Sequence, residues 1–190
     1  QASDRLMWTE KLLALCHAIG GTAMFALTAQ TSFGWFFAIM LVYQLAFIPT
    51  LSLTNVILFR HVSDARSEFG TIRLWGTIGW IAASWPFVFL LAGKTGAELH
   101  SALGSIFVVA GLASYALAAF SLTLPATPPV KDAPARNAPF EAIRLLAVPS
   151  LFVLFVVTFI DALIHQCYFQ WTSPFLERAG LAANWIMPAM

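Results

Sequence analysis

Four residues of this sequence have side chains and a helical spacing that suit the binding of a polar solute. Intervals of four, three and four residues separate Arg73, Thr77, Trp80 and Ser84, so on a helix they lie on one face. A guanidinium group, a hydroxyl group and an indole ring can together bind a polar solute that carries a ring. A second interpretation stays open, in which Arg73 only anchors the end of a membrane helix by reaching back into water.

A second group of candidate residues lies nearer the carboxyl end of the chain. Asp161 and His165 are four residues apart, as are Gln166 and Gln170, and residues with this spacing are neighbours on a helix. A charged carboxylate is costly in hydrocarbon, so Asp161 should favour its neutral form and could carry a proton together with His165. Alternatively, a neutral Asp161 only stabilises the fold by a hydrogen bond to His165 or to a neighbouring helix. We expect no metal site, because two ligands are too few and no His-Glu-x-x-His pattern occurs.

The elements that must position these residues are long apolar stretches. Apolar residues make up 59% of the 190 residues and charged residues only 10%, whereas charged residues make up about 25% of a soluble domain. A single charged residue, Asp161, lies within residues 12–29, 33–59, 74–93, 101–124 and 145–176. Each of these five stretches can cross a hydrocarbon core of about 30 Å as a helix. The sequence therefore predicts an all-α fold, a polytopic transmembrane helical bundle, and excludes a soluble enzyme and a nucleic-acid-binding domain.

The positive charges predict the orientation of the chain in the membrane. Eight of the ten Lys and Arg residues precede the first stretch, link the second to the third, or link the fourth to the fifth. By the positive-inside rule these segments face the cytoplasm. We therefore expect a multi-pass protein of the inner (plasma) membrane with residues 1–11, 60–72 and 125–144 in the cytoplasm.

A proline-rich segment predicts how the chain is divided. Four prolines and several charged residues lie between positions 125 and 138, a composition that cannot continue a helix. We expect residues 1–124 to be the end of an amino-terminal helical half, with three or four complete spans and a leading loop. Residues 125–144 are then a linker, and residues 145–190 the start of a second half. Because the chain begins without Met and ends in a short apolar segment, we expect a piece of a longer protein.

Two motifs give the sequence a family resemblance. Residues 49–55 read PTLSLTN, and residues 69–80, after a charged loop, read FGTIRLWGTIGW. These motifs resemble those of the nucleoside:proton symporter family of the major facilitator superfamily, and the resemblance covers essentially the whole chain. It implies a partial major facilitator fold, in which this chain supplies helices three to seven of twelve and the beginning of helix eight.

The resemblance also implies a binding site. In that family the arginine, threonine and aromatic residue of the second motif, and a glutamine on helix seven, contact the nucleoside; here these residues are Arg73, Thr77, Trp80 and Gln166. Trp80 stands where the best-known members have phenylalanine. The family's neighbouring asparagine aligns with Phe169, so part of the set that reads the solute is replaced.

The sequence thus predicts a secondary transporter rather than an enzyme. We expect proton-coupled uptake of a nucleoside-like solute by alternating access, in a monomer that uses the proton gradient and no cofactor. Its partners are then the solute, protons and the bilayer, and Asp161 with His165 is the candidate proton pair, although it has no clear counterpart in the characterised nucleoside carriers. The alternatives are a sugar or polyol:proton symporter of the same superfamily, and a polytopic membrane enzyme, for which the sequence has no nucleophile motif or ligand cluster.

Overall fold

The computed structural model describes residues 7–129 and 143–190, and most of both ranges is helical. Within these ranges lie the helices α1 Thr9–Leu27, α2 Phe33–His61, α3 Ala65–Leu91, α4 Gly96–Ser121, α5 Pro149–Arg178 and the short α6 Ala183–Ala189. The first five are long and apolar enough to cross a membrane. The predicted all-α bundle with five spans is therefore confirmed, and the chain is a multi-pass membrane protein.

The third helix is longer than the charge-free stretch that predicted it. The stretch begins at Leu74, but α3 begins at Ala65 and includes the charged Glu68 in its first turn. Charged residues are compatible with a helix where it extends beyond the hydrocarbon, and an acidic residue in the first turn interacts favourably with the helix dipole. The absence of charge thus marks the part of a helix inside the membrane and not the helix itself.

The described residues fall into two compact units, one within Gln1–Leu74 and Lys94–Ala133 and one within Trp75–Gly93 and Pro134–Met190. The predicted division at residues 125–144 separates two consecutive parts of the chain, whereas each of these units combines two separate segments. Residues 130–142 of the predicted linker lie outside the described ranges. The two helical halves therefore stay a prediction.

In the first unit, α1 packs against both α2 and α4. Glycines allow the close approach to α4: a Cβ atom on Gly111 would lie 2.9 Å from a ring carbon of Phe25, and one on Gly21 would lie 3.2 Å from the Gly111 carbonyl oxygen. Small residues at such seams are the usual means by which membrane helices pack closely. Two interhelical hydrogen bonds cross the same seam, because Ser114 Oγ donates to the His17 carbonyl at 2.8 Å and Thr22 Oγ1 lies 2.8 Å from the Tyr115 hydroxyl.

The amino-terminal end of α1 holds the segment that follows α4. The backbone N–H of Thr9 donates to the Thr127 carbonyl at 3.2 Å, and the Thr127 N–H donates to the Glu10 carboxylate at 3.0 Å. A guanidinium N–H of Arg60, at the end of α2, donates to the Pro128 carbonyl at 2.9 Å. Glu10 is 4% exposed and Thr127 is 1% exposed, so this carboxylate is buried together with its hydrogen-bond donor. The start of the predicted linker is thereby held against the helices of the first unit.

In the second unit, α5 contacts α6, and the Tyr168 hydroxyl donates to the Met190 carbonyl at 2.8 Å. None of the thirty residues of α5 is buried. In a membrane protein, a helix with so much free surface must face lipid, other helices or a water-filled cavity.

Candidate functional site

The stripe predicted on the third span lies on one continuous helix, α3, but its four residues differ in their surroundings. Arg73 and Thr77 are exposed, and Trp80 is 52% exposed. Ser84 is buried and its hydroxyl donates to the Ile81 carbonyl of its own helix at 2.7 Å. The Ser84 hydroxyl is therefore already hydrogen-bonded within α3, whereas the other three side chains are accessible to a solute.

The hydroxyl of Thr77 differs from those of Ser84 and Thr158. Within the described part of the chain its hydroxyl makes no hydrogen bond, while those of Ser84 and Thr158 are donated to carbonyls of their own helices. A threonine hydroxyl without a partner can both donate and accept. Thr77 can thus bind a solute without first breaking an internal hydrogen bond.

On α5 the candidate residues Asp161, His165 and Gln166 are all exposed. No hydrogen bond or ion pair joins Asp161 to His165, both of which lie in the described range 143–190. The imidazole ring instead packs against Phe169, with ring centroids 4.7 Å apart. The amide of Gln166 likewise makes no hydrogen bond to any described residue, and it lies on the surface of α5.

An aromatic cluster in the second unit joins α3 to α5. Its residues are Trp80, His165, Tyr168 and Phe169. The rings of Trp80 and Phe169 lie 5.6 Å apart at an angle of 73°, and Tyr168 meets Phe169 at 5.4 Å and 80°. These are edge-to-face contacts, the geometry that the quadrupoles of aromatic rings favour. Trp80, predicted to bind the solute, and His165, predicted to handle protons, thus both contact the ring of Phe169.

Two of the predicted binding residues lie one helical turn from this ring contact. Thr77 precedes Trp80 by three residues on α3, and Gln166 precedes Phe169 by three residues on α5. Residues three apart lie on the same side of a helix. Arg73 lies one turn further from Trp80 along α3, in the part of that helix that belongs to the first unit. The second unit therefore combines a hydroxyl, an amide and aromatic rings, which together suit a flat ring with polar substituents.

Sequence reasoning missed the central position of Phe169, which it noted only as the replacement for an asparagine. The signal that could have found it is the repeated pattern of a polar residue followed by an aromatic residue three positions later, Thr77 with Trp80 and Gln166 with Phe169. The hydrogen bond between Glu10 and the start of the linker was also missed, since nothing in the spacing of a lone carboxylate indicates a partner 117 residues away.

Five helices long and apolar enough to cross a membrane, two of them with accessible polar and aromatic side chains, define a polytopic helical membrane protein. The family model for the nucleoside H+ symporter matches residues 1–190. The chain therefore belongs to the nucleoside H+ symporter family, which confirms the predicted family, the transport class and the conclusion that the protein is not an enzyme.

Three relatives from Escherichia coli (strain K12) are similar to this chain. The "Putative nucleoside transporter YegT" is 31% identical over 189 residues, which cover 97% of this chain and 44% of the relative. The nucleoside permease NupG is 32% identical over 134 residues, covering 68% of this chain and 30% of the relative. The xanthosine permease is 27% identical over 183 residues, covering 92% and 42%. The chain thus spans less than half the length of these relatives, and no solved structure matches it significantly.

Proposed function

We propose that the full-length protein imports a nucleoside together with protons by alternating access. The main support for this proposal is the contact between Trp80 and Phe169, because Thr77 and Gln166 each lie one helical turn from it. A nucleoside combines a flat base with hydroxyls and ring heteroatoms, so it matches both kinds of group. Family membership and the similarity to a nucleoside permease support the same solute class.

Four side chains bind the solute in this proposal. Arg73 donates charge-assisted hydrogen bonds to solute oxygens, Thr77 and Gln166 exchange hydrogen bonds with hydroxyl and base edges, and Trp80 contacts the base. The exposure of Arg73, Thr77 and Trp80 supports these roles. If Arg73 is only a helix anchor, its replacement leaves uptake unchanged.

Asp161 and His165 form the proton-handling pair in this proposal. Their exposure on α5 supports this role, and the contact of His165 with Phe169 supports a location beside the aromatic cluster. The substitution Asp161→Asn should abolish uncoupler-sensitive accumulation of solute and retain exchange of solute across the membrane. If Asp161 only stabilises the fold, accumulation per folded molecule stays as in the wild type.

The location of the protein follows from the same proposal. The full-length protein lies in the inner (plasma) membrane as a monomer, with residues 1–11, 60–72 and 125–144 on the cytoplasmic side. The excess of Lys and Arg in these segments supports this orientation.

Uptake in intact cells tests the proposed function. The full-length protein is expressed in cells that lack nucleoside uptake, and labelled uridine, adenosine and a disaccharide are followed with and without a proton uncoupler. We expect uncoupler-sensitive uptake of the nucleosides. Uptake of the disaccharide alone would establish the sugar symporter alternative, and uptake that ignores the uncoupler would contradict the symport mechanism. Arg178→Ala serves as the control for Arg73→Ala, because it removes an exposed positive charge at the far end of α5.

A further inference from the structure

Phe169 is the residue on which the aromatic cluster converges. The rings of Trp80, His165 and Tyr168 all meet it, at centroid distances of 5.6, 4.7 and 5.4 Å. It is half-buried, whereas its neighbours His165, Gln166 and Tyr168 on α5 are exposed. Phe169 is therefore held in place by several neighbours while part of its ring stays accessible.

The chemistry of a phenyl ring limits what Phe169 can recognise. It has no hydrogen-bonding group, so it cannot form hydrogen bonds to the hydroxyls of a sugar ring, and a hydroxyl buried against it without another partner loses its bond to water. A nucleobase, in contrast, presents flat faces without hydroxyls, and stacking on aromatic side chains is favourable for every base. Trp80 is 52% exposed, so its indole offers a second aromatic surface beside Phe169.

The polar residues beside the cluster suit the edge of such a base. Thr77 and Gln166 each lie three residues before an aromatic residue of the cluster, and neither makes a hydrogen bond within the described ranges. Because successive spans alternate in direction, α3 and α5 run the same way, and both polar groups lie on the same side of the ring contact along the membrane normal. A base against the rings can therefore direct its polar edge toward Thr77 and Gln166.

We propose that Phe169 is a specificity residue, which together with Trp80 binds the base of the nucleoside and selects for solutes whose base is aromatic and flat. This inference rests on the proposed function and names the part of the solute that the cluster reads. Phe169 then contacts the base through its phenyl ring and not through a hydrogen bond.

A comparison of uridine with 5,6-dihydrouridine tests this inference. The two solutes have the same sugar and the same hydrogen-bonding atoms on the base, but the saturated base of dihydrouridine is neither aromatic nor flat. We expect the full-length wild-type protein to prefer uridine by about ten-fold in KM, the range that stacking of one base supports. Equal KM values for the two solutes in the wild type would overturn the inference, whether or not any variant folds.

Variants of Phe169 connect the preference to this ring. Phe169→Leu keeps an apolar side chain without aromaticity and should reduce the preference for uridine to less than about three-fold. Phe169→Tyr keeps the ring and should retain the preference. Phe159→Leu, an exposed phenylalanine of α5 outside the cluster, is the matched control and should behave like the wild type.

The outcomes separate this inference from the proposed function. If the wild type takes up uridine and Phe169→Leu keeps the full preference, the inference is wrong and the proposed function stands. If the wild type takes up the disaccharide and no nucleoside, both are wrong. A lower amount of Phe169→Leu in the membrane changes the maximal rate but not the ratio of KM values, so the ratio remains a test of the ring contact itself.

Discussion

Helices α1 and α5 are both long enough to cross a membrane, but they differ in what surrounds them. Nine residues of α1 are buried, and the helix packs against α2 and α4. None of the residues of α5 is buried, although it is the longest helix described. α1 is thus the centre of its unit, whereas α5 contacts α6 and, through Phe169, also α3 without burying any of its residues.

The polar side chains of α1 and α5 also differ in their hydrogen bonds. Along α1, Glu10 and Thr22 are hydrogen-bonded to residues outside that helix, and the His17 carbonyl accepts a further bond from Ser114. On α5, Asp161 and Gln166 have no hydrogen bond to any described residue. Polar side chains in lipid are costly and are usually found facing a cavity or another helix. Polar groups of α1 are thus hydrogen-bonded to other elements of the first unit, whereas Asp161 and Gln166 of α5 make no such bond within the described residues.

The largest effect is expected at the close packing of α1 against α4. In the full-length protein, Gly111→Leu forces a side chain into the space of the Phe25 ring, which lies 2.9 Å from the position of a Cβ atom. Overpacking of this kind costs about 3 kcal/mol, so we expect a marked loss of folded protein, measured by thermal unfolding in detergent. Gly104→Leu is the control on the same helix, since no atom lies within 4 Å of its Cβ position. Equal destabilisation by both would contradict the packing described here.

A smaller loss is expected when the end of α1 releases the segment after α4. Glu10→Ala leaves the buried N–H of Thr127 without its acceptor, which costs about 2 kcal/mol of stability. Glu10→Gln keeps an acceptor oxygen and should recover most of this loss. Glu98→Ala removes an exposed carboxylate of α4 and should change stability by less than about 0.5 kcal/mol. The free energy of unfolding of the three variants distinguishes a specific hydrogen bond from a general effect of charge.

At Thr77, a substitution should change transport and leave stability unaltered. Thr77→Ala removes a hydroxyl that has no partner within the described residues, so we expect about a ten-fold loss in kcat/KM for uridine, which corresponds to about 1.4 kcal/mol. Thr77→Ser should restore uptake. Ser84→Ala is the control, because the Ser84 hydroxyl is already donated to its own helix. A similar loss of uptake in Ser84→Ala would mean that the whole stripe acts through helix structure.

The smallest effect compares one threonine on each of the two helices. Thr22→Val removes the hydrogen bond between α1 and Tyr115, and we expect a loss of about 1 kcal/mol in stability. Thr158→Val on α5 removes only a bond to the Leu154 carbonyl of the same helix and should have an effect below about 0.5 kcal/mol. Thermal unfolding of the two full-length variants measures the difference. Equal effects would show that α1 and α5 contribute alike to the fold.

The spans were predictable because their signal is local in the sequence. A charge-free stretch long enough for the bilayer has to be a helix, since backbone groups in hydrocarbon must be hydrogen-bonded within the segment. The ends of the helices were less predictable, as at Ala65, because polar residues outside the hydrocarbon can continue a helix or end it.

The candidate site was predictable only in part. Helical spacing brings Thr77 near Trp80 and Asp161 near His165, since these relations lie within one helix. Spacing does not reveal which polar group is already occupied: Ser84 has the same periodicity as Thr77 but is buried and hydrogen-bonded. It also suggested a contact between Asp161 and His165, whereas the ring of His165 lies against Phe169.

The sequence by itself determined the class of protein, the number of candidate spans and the family. These properties depend on hydropathy, charge and local motifs, which are present in the chain before it folds. Only the tertiary structure decided that Glu10 accepts a hydrogen bond from Thr127, that α1 buries nine residues while α5 buries none, and that Phe169 contacts Trp80. Such contacts join residues far apart in the chain, and no periodicity within one helix specifies which face of another helix it will meet.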